Sequence, residues 1–416
     1  MLSRRSFLEG VGGVALVSAL AACTTSRSSG LPAATGLPVT PVPTKSLTAT
    51  AGPTSLDTGT PEPGATAPAS DDATLRRKIG RLLIVGFRGL ELADGSGIAR
   101  ALDGGLGGVI LFDRDQATGK PRNIASPTQL RALTDSLRRR ATVPLLVAID
   151  QEGGRVARLT PAHGFPTTSS EAAIGATDDP DVARSAGAAM GQTMAAAGID
   201  LDLAPVVDVN VNPTNPAIGA LDRSFSADPS VVAAMADAEI EGLHEHRVRA
   251  CLKHFPGLGS ASANTDFDRV DVTETWRRRE LEPYQTLFGL GTPDAVMVAH
   301  IIDRQLDSRY PASLSPKIVD GVLRSQLGWE GPVMTDSMGA VAITSTYGRA
   351  EAAGLALEAG VDLLLYANQG EYVDDIAPRV TDDLLAMIHA GRLTEARLDL
   401  SIARLERLVA GTPLAS

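Results

Sequence analysis

Five apolar runs in this chain end on polar residues of the types that enzymes use as nucleophiles, acids and bases. In chain order these residues are Asp150, Asp208, Lys253 with His254, His300 and Asp336. If the runs are parallel strands of one barrel, their carboxyl ends lie at the same mouth, where such folds place their active sites. We therefore expect a single polar site that draws on several separated segments of the chain.

Eight apolar runs recur along the chain, and segments of helical composition lie between them. The runs are 82–87, 108–112, 144–150, 199–207, 247–255, 294–301, 332–336 and 360–366, and the helical segments include 128–140, 182–197, 231–244 and 349–359. Continuous apolar strands that alternate with helices indicate an α/β fold with a parallel sheet covered on both faces. Eight such units predict a single (β/α)8 TIM barrel. A doubly wound sheet is the alternative, but its G-x-G-x-x-G fingerprint is missing from the sequence.

Residues 1–22 have the pattern of a signal peptide. Arg4 and Arg5 precede an apolar run, 11–22, that is shorter than the roughly 20 apolar residues of a membrane-spanning helix. The paired arginines resemble a twin-arginine export signal, and the segment L-A-A-C that ends at Cys23 resembles a bacterial lipobox. We expect a lipid on Cys23 to anchor the exported chain to the outer face of the bacterial cell membrane. The alternative is an ordinary secretory peptide with an incidental cysteine.

The rest of the chain divides by composition into a tether and one domain. Residues 23–72 are rich in Thr, Ser, Pro and Gly, which predicts a disordered linker, and residues 73–416 have the mixed composition of a folded domain. The net charge of −11 and the pI near 5.1 argue against nucleic acid as a partner. Two cysteines cannot form a disulfide framework, and we expect the second, Cys251, to be a buried thiol.

Several sequence blocks resemble glycoside hydrolase family 3, and most closely its single-domain β-N-acetylglucosaminidase branch. The blocks are K-H-F-P-G at 253–257, D-Q-E-G-G-R-V at 150–156, A-P-V-V-D-V-N at 204–210, R-S-F at 223–225 and V-M-T-D-S-M at 333–338. They follow the family's order and spacing, and the similarity extends from about Leu75 to Leu408. The resemblance implies the same barrel, and we expect no second domain after it.

The resemblance also implies roles for individual residues. Asp336 matches the nucleophile, which forms a covalent glycosyl-enzyme in a retaining mechanism. Asp150, Arg223, Lys253 and His254 match positions that hydrogen-bond sugar hydroxyls, for which carboxylate acceptors and cationic donors are suited. This mechanism needs no metal and no organic cofactor.

Several of these residues have a structural alternative. Asp336 could cap the following helix, and Lys253 and His254 could form buried ion pairs that support the barrel rim. Asp208 and His300 could either contact substrate or support the residues that do. We expect Trp276 and Trp329 to be packing residues rather than sugar platforms.

One block departs from the family pattern. The Asp-Ser-His element that supplies the acid/base histidine in this branch is replaced by Asn264, Thr265 and Asp266, and Leu258 replaces another frequent histidine. Asp266 could serve as the proton donor with a raised pKa. Asp268 or a carboxylate from another loop could do the same, or the donor could be lost. Our candidate acid/base is Asp266.

The resemblance, together with the export pattern, implies a retaining exo-glycosidase that removes non-reducing β-linked N-acetylglucosamine from peptidoglycan-derived fragments. Its partners would be N-acetylglucosamine-containing cell-wall saccharides and the membrane that holds its lipid anchor, and we expect a monomer. One alternative is a catalytically impaired lipoprotein that binds sugars, since a binding protein needs no acid in the loop at 258–268. Another is a β-glucosidase of the same family.

Overall fold

The computed structural model of this chain describes residues 70–410, and it begins with helix α1 (Asp72–Gly80). The predicted signal peptide 1–22, the lipid site at Cys23 and nearly all of the linker 23–72 lie outside the described residues, so these calls stay predictions. Within residues 70–410, no helix has the length and apolar character needed to cross a membrane.

Eight parallel strands form the centre of the domain. They are β1 (Leu83–Gly86), β2 (Gly108–Leu111), β3 (Leu146–Ile149), β4 (Leu201–Asp202), β5 (Arg249–Phe255), β6 (Ala295–Val298), β7 (Val333–Thr335) and β8 (Leu364–Tyr366). Each strand pairs with its neighbour in chain order, and β1 pairs with β8. A parallel bridge between Met334 and Leu363 brings β7 next to β8, so the sheet is a nearly closed barrel. This confirms the predicted (β/α)8 fold.

Every strand lies inside a predicted apolar run, but the strands are shorter than the runs. The difference is largest for the run 199–207, of which only Leu201 and Asp202 form the ladder of β4. Pro205 lies in this run, and a proline has no amide hydrogen to donate to a ladder. The chain after β4 nevertheless stays beside its neighbours: the amide of Leu203 donates to the carbonyl of Ile149 at 2.7 Å, and the amide of Val207 donates to the carbonyl of Lys253 at 2.8 Å.

Helices lie between the strands, and most of them cover the outside of the barrel. They are α2 (Gly97–Asp103), α3 (Pro127–Arg140), α4 (Glu171–Gly175), α5 (Pro180–Ala197), α6 (Pro229–Glu245), α7 (Glu282–Leu290), a π-helix (Lys317–Gln326), α8 (Val341–Thr344), α9 (Arg349–Glu358), α10 (Ile376–His389) and α11 (Glu395–Ala410). The four predicted helical segments correspond to α3, α5, α6 and α9. Helices α3, α5 and α6 begin with a proline in the first turn behind a Ser or Asp cap, a favourable helix start.

Both tryptophans and Cys251 are buried, as predicted. The indole nitrogen of Trp276 donates to the carbonyl of Pro256 at 3.0 Å, and that of Trp329 donates to the carbonyl of Pro332 at 3.1 Å. Each tryptophan thereby holds backbone next to a site strand, since Pro256 follows β5 and Pro332 precedes β7. Their packing supports the barrel mouth without exposing a sugar platform.

Candidate active site

The carboxyl ends of the strands surround a cavity of about 1050 Å³ at one mouth of the barrel. The predicted site residues Asp150, Arg223, Lys253, His254, Asp266 and Asp336 all line it. They come from the loops after β3, β4, β5 and β7 and from β5 itself. The barrel therefore brings together residues that are far apart in the sequence, as the strand-end pattern predicts.

Lys253, near the end of β5, is the centre of a buried cluster of charges. Its Nζ lies 2.8 Å from Oδ1 of Asp150 and 2.6 Å from Oε1 of Glu152. Only 2% of the lysine side chain is exposed. Burial alone would lower the pKa of Lys253, but the two carboxylates hold that pKa above its usual value, so the lysine stays charged.

Arg223 completes this cluster from the loop after β4. Its guanidinium donates to both oxygens of Glu152, at 2.6 and 2.7 Å, and to the carbonyl of Ala217 at 2.7 Å. A bidentate pair of this kind fixes the plane of both groups. We call Asp150, Glu152, Arg223 and Lys253 the ion-pair cluster; its two acids and two bases balance in charge.

The acids of the ion-pair cluster are ionised although they are buried. Desolvation by itself would raise the pKa of Asp150, but the charges of Lys253 and Arg158 hold it well below its usual range. Desolvation would also raise the pKa of Glu152, but the charges of Arg223 and Lys253 hold it below its usual value. The cluster therefore presents fixed charges to the cavity, ready to accept and donate hydrogen bonds to hydroxyl groups.

His254 is held by a buried aspartate behind the cavity wall. Its Nδ1 lies 2.7 Å from Oδ2 of Asp208, while Oδ1 of Asp208 accepts from the backbone amide of Leu258 at 2.6 Å. With Nδ1 donating to Asp208, Nε2 becomes an acceptor facing the cavity, 3.4 Å from the guanidinium of Arg223. Asp208 thus orients His254 and is a supporting residue rather than part of the cavity wall.

His300, after β6, is also a supporting residue. It is buried, and its Nε2 lies 2.9 Å from the carbonyl oxygen of Ser337 while Nδ1 lies 2.6 Å from the hydroxyl of Ser313. Because a carbonyl can only accept, Nε2 carries the hydrogen and Nδ1 accepts from Ser313. Burial lowers the pKa of His300, which keeps the ring neutral. The ring fixes the backbone directly after Asp336.

Asp336 follows β7 immediately and is half-buried in the cavity wall. Its backbone amide donates to the carbonyl of Val298 at 3.0 Å, and its Oδ1 accepts from the amide of Ser337 at 2.6 Å. The next helix, α8, has Ala340 as its N-cap. The capping alternative for Asp336 therefore does not hold, and its carboxylate faces the cavity.

Asp266 lies in the loop between β5 and α7, on the cavity side. Desolvation by the cavity walls, followed by the charge of Asp336, raises the pKa of Asp266 to about 6. Asp268 is exposed, and its Oδ1 accepts from the adjacent amide of Arg269. Of Asp266 and Asp268, only Asp266 lines the cavity. Its raised pKa lets Asp266 hold a proton near neutral pH.

The loop around Asp266 is anchored to the start of α8. The carbonyls of Thr265 and Asp266 accept from the amides of Ala342 and Val341, at 3.1 and 3.2 Å. The side-chain oxygen of Asn264 accepts from the amide of Asp266 at 2.9 Å, which shapes the turn. We call residues 258–268 the acid loop. Its backbone bonds hold Asp266 on the same side of the cavity as Asp336.

Sequence reasoning did not single out Glu152 or Arg158. Glu152 is 1% exposed and bonds both cations of the ion-pair cluster, and Arg158 lies 3.4 Å from Oδ2 of Asp150. Gly153 and Gly154, which have positive φ angles of 86° and 54°, turn the chain directly after Glu152. Charge balance is the signal that the sequence offers for Glu152. Two buried cations, Lys253 and Arg223, need two buried anions, and the sequence patterns supply only Asp150.

The described residues, 70–410, contain no group of three or more His, Cys, Asp or Glu side chains arranged to hold a metal ion. What the cavity presents is a set of hydrogen-bonding charges, one carboxylate at the end of β7, and one carboxyl group with a raised pKa. Such a pair of carboxyl groups beside a hydroxyl-binding cluster can cleave a glycosidic bond.

Comparisons with known proteins agree with this chemistry. Residues 74–408 match the model of the glycosyl hydrolase family 3 N terminal domain. A β-hexosaminidase of Xanthomonas axonopodis pv. citri (strain 306) is 36% identical over 297 residues, which cover 68% of this chain and 83% of the relative.

Two solved structures have the same fold. One is a glycoside hydrolase family 3 β-N-acetylglucosaminidase from Paenibacillus sp. str. FPU-7, with a TM-score of 0.74, 34% identity, and coverage of 82% of this chain and 64% of that one. The other is a β-N-acetylhexosaminidase from Beutenbergia cavernae DSM 12333, with a TM-score of 0.73, 31% identity, and coverage of 81% and 98%. The chain therefore belongs to glycosyl hydrolase family 3 and is a glycosidase.

Proposed function

We propose that this glycosidase removes β-linked N-acetylglucosamine from the non-reducing ends of its substrates with retention of configuration. The observation that carries the proposal is the placement of Asp336 and Asp266 around one cavity that also contains the ion-pair cluster. The names of the relatives, β-hexosaminidase and β-N-acetylglucosaminidase, support the choice of sugar.

The ion-pair cluster and His254 bind the sugar in this proposal. Asp150 and Glu152 accept hydrogen bonds from its hydroxyls, while Lys253 and Arg223 donate to them. Because the cluster is already paired and buried, these groups need little reorganisation when the sugar enters. The anomeric carbon is then held against Asp336.

In the first step, a carboxylate oxygen of Asp336 forms a bond to the anomeric carbon while the bond to the leaving oxygen breaks. Asp266 donates its proton to that oxygen, so the leaving group departs as a neutral alcohol. A pKa of about 6 for Asp266 keeps a useful fraction of the acid protonated near neutral pH.

In the second step, a water molecule replaces the departed alcohol. Asp266, now ionised, removes a proton from the water as its oxygen attacks the anomeric carbon from the side opposite the Asp336 ester. The ester bond breaks, the sugar leaves with its original configuration, and both carboxyl groups return to their starting states. The two steps need no oxidant, no reductant and no co-reactant other than water.

We further propose that the natural substrates are peptidoglycan-derived fragments and that a lipid on Cys23 holds a monomeric enzyme outside the bacterial cell membrane. The sequence patterns at residues 1–23 support this location. Metabolic labelling with a radioactive fatty acid tests the anchor. The label should enter the wild-type chain and be absent from Cys23→Ser, and equal labelling of both would contradict the proposal.

Hydrolysis of an aryl β-N-acetylglucosaminide tests the activity, with the anomer of the first product followed by NMR. The wild-type chain should release the β-anomer, and Asp336→Ala should lower turnover by roughly 10⁵-fold or more, as loss of a covalent nucleophile does. Release of the α-anomer would contradict the retaining mechanism. Binding of N-acetylglucosamine without any turnover would support the sugar-binding alternative.

A further inference from the structure

Two large apolar side chains are exposed at the rim of the active-site cavity. Phe267 is 64% exposed and Val341 is 39% exposed, and both line the cavity. Four other large apolar residues are exposed in the part of the chain that the structure describes: Val182, Val211, Leu290 and Leu400. None of these four lines the cavity, so Phe267 and Val341 stand out by their position.

The backbone holds these two residues next to each other and next to Asp266. The amide of Val341 donates to the carbonyl of Asp266 at 3.2 Å, and Phe267 is the next residue in the chain. The amide of Phe267 donates to the carbonyl of Asn264 at 3.1 Å, which closes a turn around Asp266. We call Phe267 and Val341 the apolar rim; it flanks the carboxyl group that we assign as the acid.

The position of an acid defines where the leaving group lies. A carboxyl group can protonate the glycosidic oxygen only from hydrogen-bond distance, about 2.6–3.2 Å. The leaving group is covalently attached to that oxygen, so its nearest ring lies beside Asp266, next to the apolar rim. The ion-pair cluster, by contrast, contacts the sugar on the other side of the scissile bond.

Exposed aromatic side chains at a cavity mouth are suited to cover the apolar face of a ring. A pyranose ring carries C–H groups on its faces and hydroxyls around its edge, so a face can pack on an aromatic ring while the edge stays in water. Burying the apolar area of Phe267 in this way is favourable by about 25 cal/mol for each Å² removed from water.

We propose that the apolar rim is the binding platform for the leaving group and that it selects substrates whose leaving group is a pyranose ring. This inference rests on the proposed function, because it takes Asp266 as the acid. It assigns Phe267 and Val341 to substrate specificity, whereas the ion-pair cluster selects the sugar that is removed.

Two substrates of the full chain separate the roles of platform and acid. One is the β-1,4-linked disaccharide of N-acetylglucosamine, whose leaving group is a ring, and the other is the methyl β-glycoside of N-acetylglucosamine, whose leaving group has none. Phe267→Ala should lower kcat/KM for the disaccharide by about tenfold, the size of an aromatic contact worth ~1.4 kcal/mol. It should change kcat/KM for the methyl glycoside by less than about twofold.

Matched variants complete the comparison. Phe267→Tyr keeps the ring and should retain near wild-type activity on both substrates. Leu290→Ala removes an apolar side chain of similar exposure, 54%, from the end of α7, away from the cavity, and should leave both activities unchanged. An equal loss on both substrates in Phe267→Ala would overturn the platform, since the residue would then act by shaping the acid loop.

Sugar affinities measured in an inactive variant test the apolar rim independently of catalysis. In an Asp336→Ala background, the affinity for the disaccharide should fall about tenfold when Phe267 is changed to Ala, with the affinity for N-acetylglucosamine unchanged. Equal affinities with and without Phe267 would overturn the platform. If the wild-type chain hydrolyses neither substrate, the proposed function is contradicted. The ratio of the disaccharide affinities with and without Phe267 still decides whether the apolar rim binds a ring.

Discussion

The two sides of the active-site cavity are built in different ways. The ion-pair cluster is largely buried, and each of its members bonds at least one other member at 2.8 Å or less. The acid loop places Asp266 and Phe267 at an exposed edge, held by a few backbone hydrogen bonds to α8 and within the loop. In the proposed mechanism, sugar binding therefore belongs to the side of the cavity with many charged side-chain bonds, and proton transfer to the side held by a few backbone bonds.

This difference predicts that a substitution at Asp266 disturbs the structure less than a substitution in the ion-pair cluster. Replacing one member of the ion-pair cluster leaves a buried charge without its partner, which is costly. Asp266 is held instead through its backbone, whose amide donates to the side-chain oxygen of Asn264 at 2.9 Å and whose carbonyl accepts from Val341 at 3.2 Å, so a different side chain keeps these bonds.

The largest expected effect is on the ion-pair cluster. Lys253→Met leaves Asp150 and Glu152 without their shared cation and should cost about 3–5 kcal/mol of unfolding free energy, because buried pairs that lose one partner are strongly destabilised. Binding of N-acetylglucosamine should weaken as well. Denaturant unfolding and calorimetry measure the two effects.

Lys78 provides the control for this change. It also contacts two carboxylates, including Glu395 at 2.7 Å, but its side chain is 23% exposed and lies far from the cavity, on α1. Lys78→Met should cost no more than about 1 kcal/mol, as is usual for pairs near the surface. Similar costs for the two variants would contradict the distinction between buried and exposed clusters.

Substitution of Asp266 should have the next largest effect, on catalysis but not on stability. Asp266→Asn should lower kcat/KM for the methyl glycoside by about 10²–10⁴-fold, the usual contribution of a general acid. Aryl glycosides should be less affected because a phenolate leaves more readily without a proton. The melting temperature should stay close to that of the wild type.

The pH profile sharpens this assignment. In the proposed mechanism the protonated form of Asp266 is the acid, so wild-type kcat/KM should fall as the pH rises above about 6, and this decline should be absent from Asp266→Asn. Asp268→Asn, two residues along the same loop, should behave like wild type. A comparable loss of activity in Asp268→Asn would contradict the assignment of the acid to Asp266.

A smaller effect concerns buried acids behind the ion-pair cluster. Glu171 and Glu239 are buried, and both oxygens of Glu239 and one of Glu171 have no hydrogen-bond partner. Burial raises the pKa of both residues, and neighbouring acids add to it: Glu239 for Glu171, and Asp202 for Glu239. The folded protein therefore keeps protons that the unfolded chain releases.

It follows that stability falls as the pH rises above the ordinary carboxyl pKa, until the folded-state pKa is passed. Glu239→Gln removes one of these titrations and should raise the melting temperature at pH 8 by roughly 2–4 °C, with less gain at pH 5. Glu241→Gln, on the exposed side of the same helix, is the control. A gain that does not depend on pH would show that Glu239 is not held protonated.

The smallest expected effect is on the anchoring of the acid loop. Val341→Pro removes the amide that donates to the carbonyl of Asp266, at the first position of α8, where proline is tolerated. Ala340 already has the extended backbone, φ −63° and ψ 145°, that a residue before proline requires. Loss of one hydrogen bond worth about 1 kcal/mol should lower kcat/KM for the methyl glycoside by roughly threefold to tenfold.

Val341→Ala keeps the amide and should leave the methyl glycoside activity unchanged. If both variants lose activity to the same extent, the side chain rather than the hydrogen bond holds the acid loop. The pair of variants thus separates the anchoring role of Val341 from its part in the apolar rim.

Local patterns along the chain predict the barrel and most of the residues of its candidate site. Apolar runs of strand length that alternate with helical segments predict a (β/α)8 barrel. The cavity residues at the ends of these runs are predicted for the same reason, and they are Asp150, Lys253, His254 and Asp336. Counting along the motif also identified Asp266 as the residue in place of the histidine. These signals are local in the chain, which is why they can be read without a structure.

Which charged groups pair with one another follows only from the folded chain. The bonds of Glu152 to Lys253 and Arg223, the orientation of His254 by Asp208, and the exposure of Phe267 depend on packing between distant segments. The same holds for the raised pKa of Asp266, which arises from the cavity walls and from Asp336, seventy residues away in the chain. Burial and charge proximity are properties of the folded chain, so they follow from the residue order only through the fold.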